Sequence, residues 1–174
     1  MDLQGQLARG IQGNVLIMGI GNPCRGDDAA GSLVAQQITD APGVLVIDAQ
    51  DVPEEYLTQA VNQRPDTVVL IDSVDLRSAP GAVALLDKDQ VAGYWPSTHR
   101  VPLSLLMDYL ERETHARTFL IAIQPSQTAF LQPMSEEVHA SVAGIAEVLE
   151  SIFDTRRMPA REGLTSPLSG EIPA

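Results

Sequence analysis

Hydrophobic and polar positions fall into two alternating patterns along this chain. Short runs of consecutive apolar residues alternate with longer segments whose apolar residues recur three or four positions apart. The first run, "NVLIMGI" from Asn14, is continuous and closes on glycine, which predicts a strand covered on both faces. "DAAGSLVAQQITD" then sets Ala30, Leu33, Val34 and Ile38 on one stripe with an acid at its start, the pattern of a helix. "GVLVIDAQ" predicts a second buried strand, and "VPEEYLTQAVNQR" a helix with Pro53 and two glutamates in its first turn. "DTVVLIDSVD" is a third apolar run ending in acid. "SAPGAVALLDKDQ" carries a Pro-Gly turn and a fourth strand, with no helix before it long enough for a parallel crossover, so an antiparallel edge strand is expected. "VPLSLLMDYLERETH" puts Leu103, Leu106, Met107 and Leu110 on one helical face. "RTFLIAIQP" is a further buried strand, and "SEEVHASVAGIAEVLESIF" a final amphipathic helix.

Strands and helices in alternation, with continuous apolar strands, imply an α/β fold: a three-layer αβα sandwich around a mostly parallel twisted sheet with one antiparallel edge strand. One domain over residues 1–154 is expected. From Thr155 the chain reads "TRRMPAREGLTSPLSGEIPA", without apolar periodicity, which predicts a flexible C-terminal tail over 155–174.

Composition narrows the partners. The 174 residues are 44% hydrophobic and only 4% aromatic, so Val, Leu, Ile and Ala build the core of a soluble protein. A formal net charge of -12, from 23 acidic and 11 basic residues, argues against nucleic acid or an anionic membrane as partner. It suits a metal cation or a basic protein segment. Cys24, the one cysteine, excludes an intramolecular disulfide and a thiolate zinc site made by this chain alone. "MDLQGQLARG" has no apolar signal core, and no apolar run approaches the roughly 20 residues needed to span a bilayer. A cytoplasmic protein is expected.

In an open α/β sheet, ligands bind beyond the carboxyl ends of the strands. The segments there are Gly19 to Asp28, then Asp48 with its "AQD" turn, then Asp72 and Asp75, then Gln124-Pro125. "PSTHRVP" before the long helix adds His99. A dinucleotide site fits poorly, because "GIGNPCRG" misplaces its third glycine and two aspartates follow where phosphate would need bare N–H groups. A Walker-type loop is excluded for want of Lys-Ser or Lys-Thr after the turn. Two carboxylates and an imidazole, Asp28, Asp72 and His99, suit a divalent first-row ion with positions left open for substrate. Each also has a plainer reading: Asp27 or Asp28 as a helix cap, Asp72 as a solvated strand end, His99 as an ordinary loop histidine. Cys24 as a nucleophile is opposed by the aspartates beside it. His115 and His139 read as surface residues, and no H-E-x-x-H is present.

"GIGNPCRGDDAAG", "VLIDSVD", "STHRVPLSLLMDYL" and "FLIAIQPSQTAFLQPMSEEV", in this order, resemble the nickel-iron hydrogenase maturation endopeptidases over about Asn14 to Phe153. The "TH…PL" and "IQP…PM" segments are most similar to the branch serving hydrogenases of the formate hydrogenlyase type. The resemblance implies an endopeptidase that removes the C-terminal extension of a nickel-iron hydrogenase large-subunit precursor once nickel is inserted. It further implies that Asp28, Asp72 and His99 are both the catalytic and the metal-contacting residues. Nickel would be supplied by the precursor rather than kept by the protease, at a position open to other divalent ions in vitro. Ala29 stands where the family usually has the glycine of D-D-G-x-G. The glycines Gly19, Gly21 and Gly26 are expected to let the bulky partner approach the backbone closely. Two alternatives remain: a nickel-sensing chaperone of the large subunit that does not cut, and a nucleotide-binding module of similar fold.

Overall fold

The structure, a computed structural model, describes residues 2–92 and 101–157. Among these residues five strands form one sheet: β1 (Val15–Ile20), β2 (Val44–Gln50), β3 (Thr67–Ser73), β4 (Val83–Leu86) and β5 (Arg117–Ile123). Their order is β2-β1-β3-β5-β4. β1 runs parallel to β2 and β3, β3 runs parallel to β5, and β4 pairs antiparallel with β5 at the edge. The connection from Ser73 to Val83 is too short for a crossover helix, so β4 can only return antiparallel. The mostly parallel sheet with one antiparallel edge strand is the architecture expected from the apolar runs.

Among the described residues six α-helices cover the sheet: α1 (Leu3–Gly10), α2 (Ala30–Gln37), α3 (Leu57–Asn62), α4 (Lys88–Ala92), α5 (Leu103–Thr114) and α6 (Glu136–Arg157). Successive strand residues point to opposite faces, which splits the interior into two cores. Val15, Ile17, Val69, Ile71, Phe119 and Ile121 pack with α1, α2 and α6. Leu16, Met18, Val68, Leu70 and Leu120 pack with Leu103, Leu106, Met107 and Leu110 of α5. Each such fully buried aliphatic side chain contributes about 1.5–3 kcal/mol. Among the described residues no helix is long and apolar enough to cross a membrane.

Besides α4, which the sequence reading did not separate from the fourth strand, three elements depart from that reading. "LQGQLARG" is helical, although Leu3 and Leu7 are the only large apolar residues in it; Asp2 accepts the Gly5 N–H at 2.9 Å as its cap, and Leu7 is fully buried. The helix expected from Val52 opens as a 3₁₀ turn over Pro53–Tyr56 before α3 begins. The last helix runs on to Arg157, so Thr155 lies in its final turn rather than in a tail. Arg157 ties that turn down, donating to Thr39 O at 2.7 Å and Asp40 O at 3.0 Å while pairing with Glu150. Residues 158–174, the rest of the expected tail, lie outside the described residues.

The strand order changes direction between β1 and β3. That is the switch point at which an open α/β sheet leaves a crevice at its carboxyl edge.

Candidate active site

The first loop leaves β1 at this crevice. Gly21, at φ 146°, donates its N–H to Gln50 O at 2.8 Å, and a Cβ there would lie 1.9 Å from the carbonyl oxygen of Asp28. Only glycine permits that fold-back. The chain then makes a 3₁₀ turn, Gly26–Ala29, that runs straight into α2. Asp28 is carried on this turn and is 2% exposed. One of its oxygens accepts the Asn22 N–H at 3.3 Å, and the other accepts the Ser73 hydroxyl at 3.4 Å.

Asp72, near the end of β3, is fully buried and accepts the Ser73 N–H at 2.8 Å. Ser73 therefore touches both carboxylates, its backbone on Asp72 and its side chain on Asp28. The solvated strand end considered for Asp72 is thus not what the fold makes of it. Two buried carboxylates joined through one serine concentrate negative charge at the sheet edge, an arrangement that favours a cation. As hard oxygen donors they are of the type that suits a divalent ion.

Asp27, beside Asp28, does something the sequence did not suggest. Neither the 3₁₀ turn nor α2 is capped by a side chain, so the helix-cap reading fails for both aspartates. Asp27 is buried and points instead to the segment between β5 and α6. Its Oδ2 accepts the N–H groups of Ser126 at 2.7 Å and Gln127 at 3.1 Å and the Ser135 hydroxyl at 2.9 Å. Its Oδ1 accepts the Ser135 N–H at 2.6 Å. Burial alone would raise its pKa, but the N–H bonds from Ser135, Gln127 and Ser126, with the Ser135 hydroxyl, outweigh it and hold the carboxyl below its ordinary value. This carboxylate clamps two loops of the carboxyl edge together, and the Asp27 N–H on Gln127 O at 3.1 Å adds a fifth link.

The remaining candidates separate. Asp48 faces α2, bonded to Ser32 at 2.7 Å and Gln36 at 2.8 Å. Asp51 holds the Asn22 side chain at 3.0 Å, and Asp75 closes a local turn on Arg77 N at 3.0 Å. Gln124 is buried, and its side-chain oxygen accepts Leu76 N at 2.7 Å and Ser78 N at 3.2 Å, so the end of β5 braces the loop that follows β3. Cys24 is exposed. His99 lies outside the described residues, four positions before α5 begins. Among the described residues no group of three or more His, Cys, Asp or Glu side chains is gathered as a metal site. Asp28 and Asp72 are brought together; the third expected ligand belongs to the segment not described.

The three glycines expected to admit a partner are instead filled from within. A Cβ on Gly19 would meet Gly31 O at 2.2 Å, and one on Gly26 would meet the Gln127 side chain at 2.6 Å, as Gly21 meets Asp28. They bring the strand, the helix and the two loops into contact with one another.

Comparison with known proteins adds an independent line. The family model described as HycI, hydrogenase maturation protease, matches residues 30–152. The hydrogenase 3 maturation protease of Escherichia coli (strain K12) is 31% identical over 138 residues, 78% of this chain and 88% of that protein. A putative hydrogenase maturation protease of Methanocaldococcus jannaschii is 30% identical over 154 residues, 83% and 90% of the two chains. In three dimensions, the crystal structure of the [NiFe] hydrogenase maturation protease HycI from Thermococcus kodakarensis KOD1 superposes with a TM-score of 0.79 at 30% identity. It covers 86% of this chain and 99% of that one. The chain belongs to the hydrogenase maturation protease family, in its HycI branch, and is a peptidase acting in hydrogenase maturation.

Proposed function

We propose that this peptidase removes the C-terminal extension of a nickel-iron hydrogenase large-subunit precursor after nickel has been inserted, and that the nickel carried by the precursor is what it recognises. The observation that supports this most is the pair of buried carboxylates, Asp28 and Asp72, joined through Ser73 at the switch point of the sheet. Oxygen donors from the first loop and from the end of β3, with the His99 imidazole as third ligand, would form half of a coordination sphere. The precursor would bring the metal with its own ligands as the other half.

Docking the metal on Asp28, Asp72 and His99 would lay the extension's scissile peptide along the crevice. Hydrolysis then needs a water made nucleophilic and a group to take its proton. A substrate-borne metal lowers the pKa of a bound water and polarises the carbonyl, and a neighbouring carboxylate is a suitable base. The attacking oxygen bonds to the carbonyl carbon, the C–N bond breaks, and the proton passes to the leaving amine. A nickel-free precursor offers nothing to the three ligands and stays whole.

Asp28→Asn and His99→Ala test the assignment against nickel-loaded precursor, with thermal unfolding as the control for folding. Cleavage is expected to fall by about 100-fold or more, the usual scale for loss of a catalytic acid–base or ligand group. Folded variants that cut at the normal rate would remove both residues from the site.

A further inference from the structure

The segment between β5 and α6 exposes two adjacent large apolar side chains, Phe130 at 62% and Leu131 at 72%. The other exposed large apolar residues among those described, Leu105 and Tyr109, lie one turn apart on α5 with nothing to tie them to the site. Phe130 and Leu131 differ in that the tip carrying them is built and held. Asp27 grips its two ends through Ser126, Gln127 and Ser135. The Gln127 side chain donates to Pro133 O at 2.7 Å and accepts the Ala129 N–H at 3.0 Å. The Leu131 N–H donates to Cys24 O at 2.7 Å, fastening the tip to the loop that carries Asp28. Leu131 is held at φ 59°, a left-handed conformation that disfavours a residue with a Cβ. A tip fixed in this way, with two apolar side chains in water beside the loop of Asp28, differs from scattered exposed apolar residues, which need no explanation.

We propose that Phe130 and Leu131 are the docking site for an apolar segment of the precursor next to its cleavage point, a proposal that rests on the function set out above. The occupant's chemistry follows from the surroundings. The tip is fastened to the loop of Asp28 through Cys24, so a segment that presents a metal to Asp28 and Asp72 would run beside it. Exposed Glu136 and Glu137 follow the tip at the start of α6, and Asp51 and Asp75 stand at other turns of the same edge. The segment that fits carries apolar side chains flanked by basic or neutral residues, not acidic ones.

The test compares wild-type protein, Phe130→Ala, Leu131→Gly and the double variant on full-length nickel-loaded precursor, with cleavage followed by mass spectrometry of the precursor's C terminus. Leu131→Gly removes the side chain while suiting the left-handed backbone, so its unfolding temperature should equal or exceed the wild type's. KM is expected to rise about tenfold or more in the double variant, the scale of losing two apolar contacts, with kcat within about twofold. An unchanged KM in folded variants overturns the proposal, as does a fall in kcat alone. So does a wild-type dimer, seen by sedimentation, that the variants dissociate without a change in KM, because the tip would then serve a second copy of this chain. Wild-type protein that leaves the loaded precursor whole would instead overturn the proposed function itself.

Discussion

Replacing Asp27 by Asn tests whether this carboxylate is the clamp of the site. Four donors converge on it: the N–H groups of Ser126, Gln127 and Ser135 and the Ser135 hydroxyl. An asparagine has one acceptor oxygen. With its amide nitrogen in the Oδ1 position it would face the Ser135 N–H, donor against donor, where the present contact is 2.6 Å. With the nitrogen in the Oδ2 position the conflict would fall on Ser126 and Gln127 instead. At least one bond to a charged acceptor is lost, at about 1.5–3 kcal/mol, and a buried donor is left unpaired, at about 1–3 kcal/mol. The surviving bonds lose their charge assistance as well. A loss of about 3 kcal/mol is expected, or about 6–12 °C in Tm for a domain of this size.

Urea unfolding measured from pH 7 to pH 3 checks both the size and the origin of this effect. The carboxyl's folded pKa lies below its unfolded value, so its contribution is complete above the unfolded pKa and is lost as pH falls through the folded one. The gap between wild type and Asp27→Asn should be widest at pH 7, begin to narrow as pH falls below about 4, the unfolded value, and keep narrowing toward the lower folded value. A gap under about 0.5 kcal/mol at pH 7, the scale of an ordinary surface substitution, would refute the clamp. So would a gap of constant size across the range.

Other outcomes follow from the same geometry. A Cβ on Gly31 would sit 2.0 Å from Ile71 O and 2.3 Å from Ile20 O, so Gly31→Ala should cost about 3 kcal/mol or more in denaturant unfolding. Gly144→Ala, in α6 with nothing within 4 Å of the added Cβ, should raise stability by about 0.5–1 kcal/mol, and a loss there would contradict the open surface. Ser73→Ala should leave the fold within about 1 kcal/mol of wild type yet slow cleavage, since it removes the hydroxyl on Asp28 but not the N–H on Asp72. Unchanged kcat and KM in that variant would make the bridge incidental.

The sheet was readable in the sequence because strands buried on both faces are written as unbroken apolar runs; β1, β3 and β5 each correspond to one. α5 and α6 were readable from stripes such as Leu103, Leu106, Met107 and Leu110, all of them buried. α1 was not, because two leucines among glycines and polar residues make no periodic signal; the burial of Leu7 against the rest of the fold makes it helical. Asp28 and Asp72 could be named because they stand at the carboxyl ends of strands that flank the switch point. Asp27 could not be assigned, since its partners Ser126 and Ser135 lie far along the chain and only the fold brings them near. The glycines were misread for a related reason: a sequence shows that a Cβ is missing but not which neighbour occupies its place. For Gly21 and Gly26 those neighbours are Asp28 and Gln127 of the site's own loops.

The central claim is that cleavage is gated by a metal the substrate carries. Purified protein should be mixed with a nickel-loaded large-subunit precursor and, separately, with the same precursor free of nickel, and the precursor's C terminus read by mass spectrometry. Trimming confined to the nickel-loaded form is the result expected from Asp28, Asp72 and His99 as ligands to a substrate-borne ion. Equal trimming of both forms, or a stable complex with neither form cut, would contradict it.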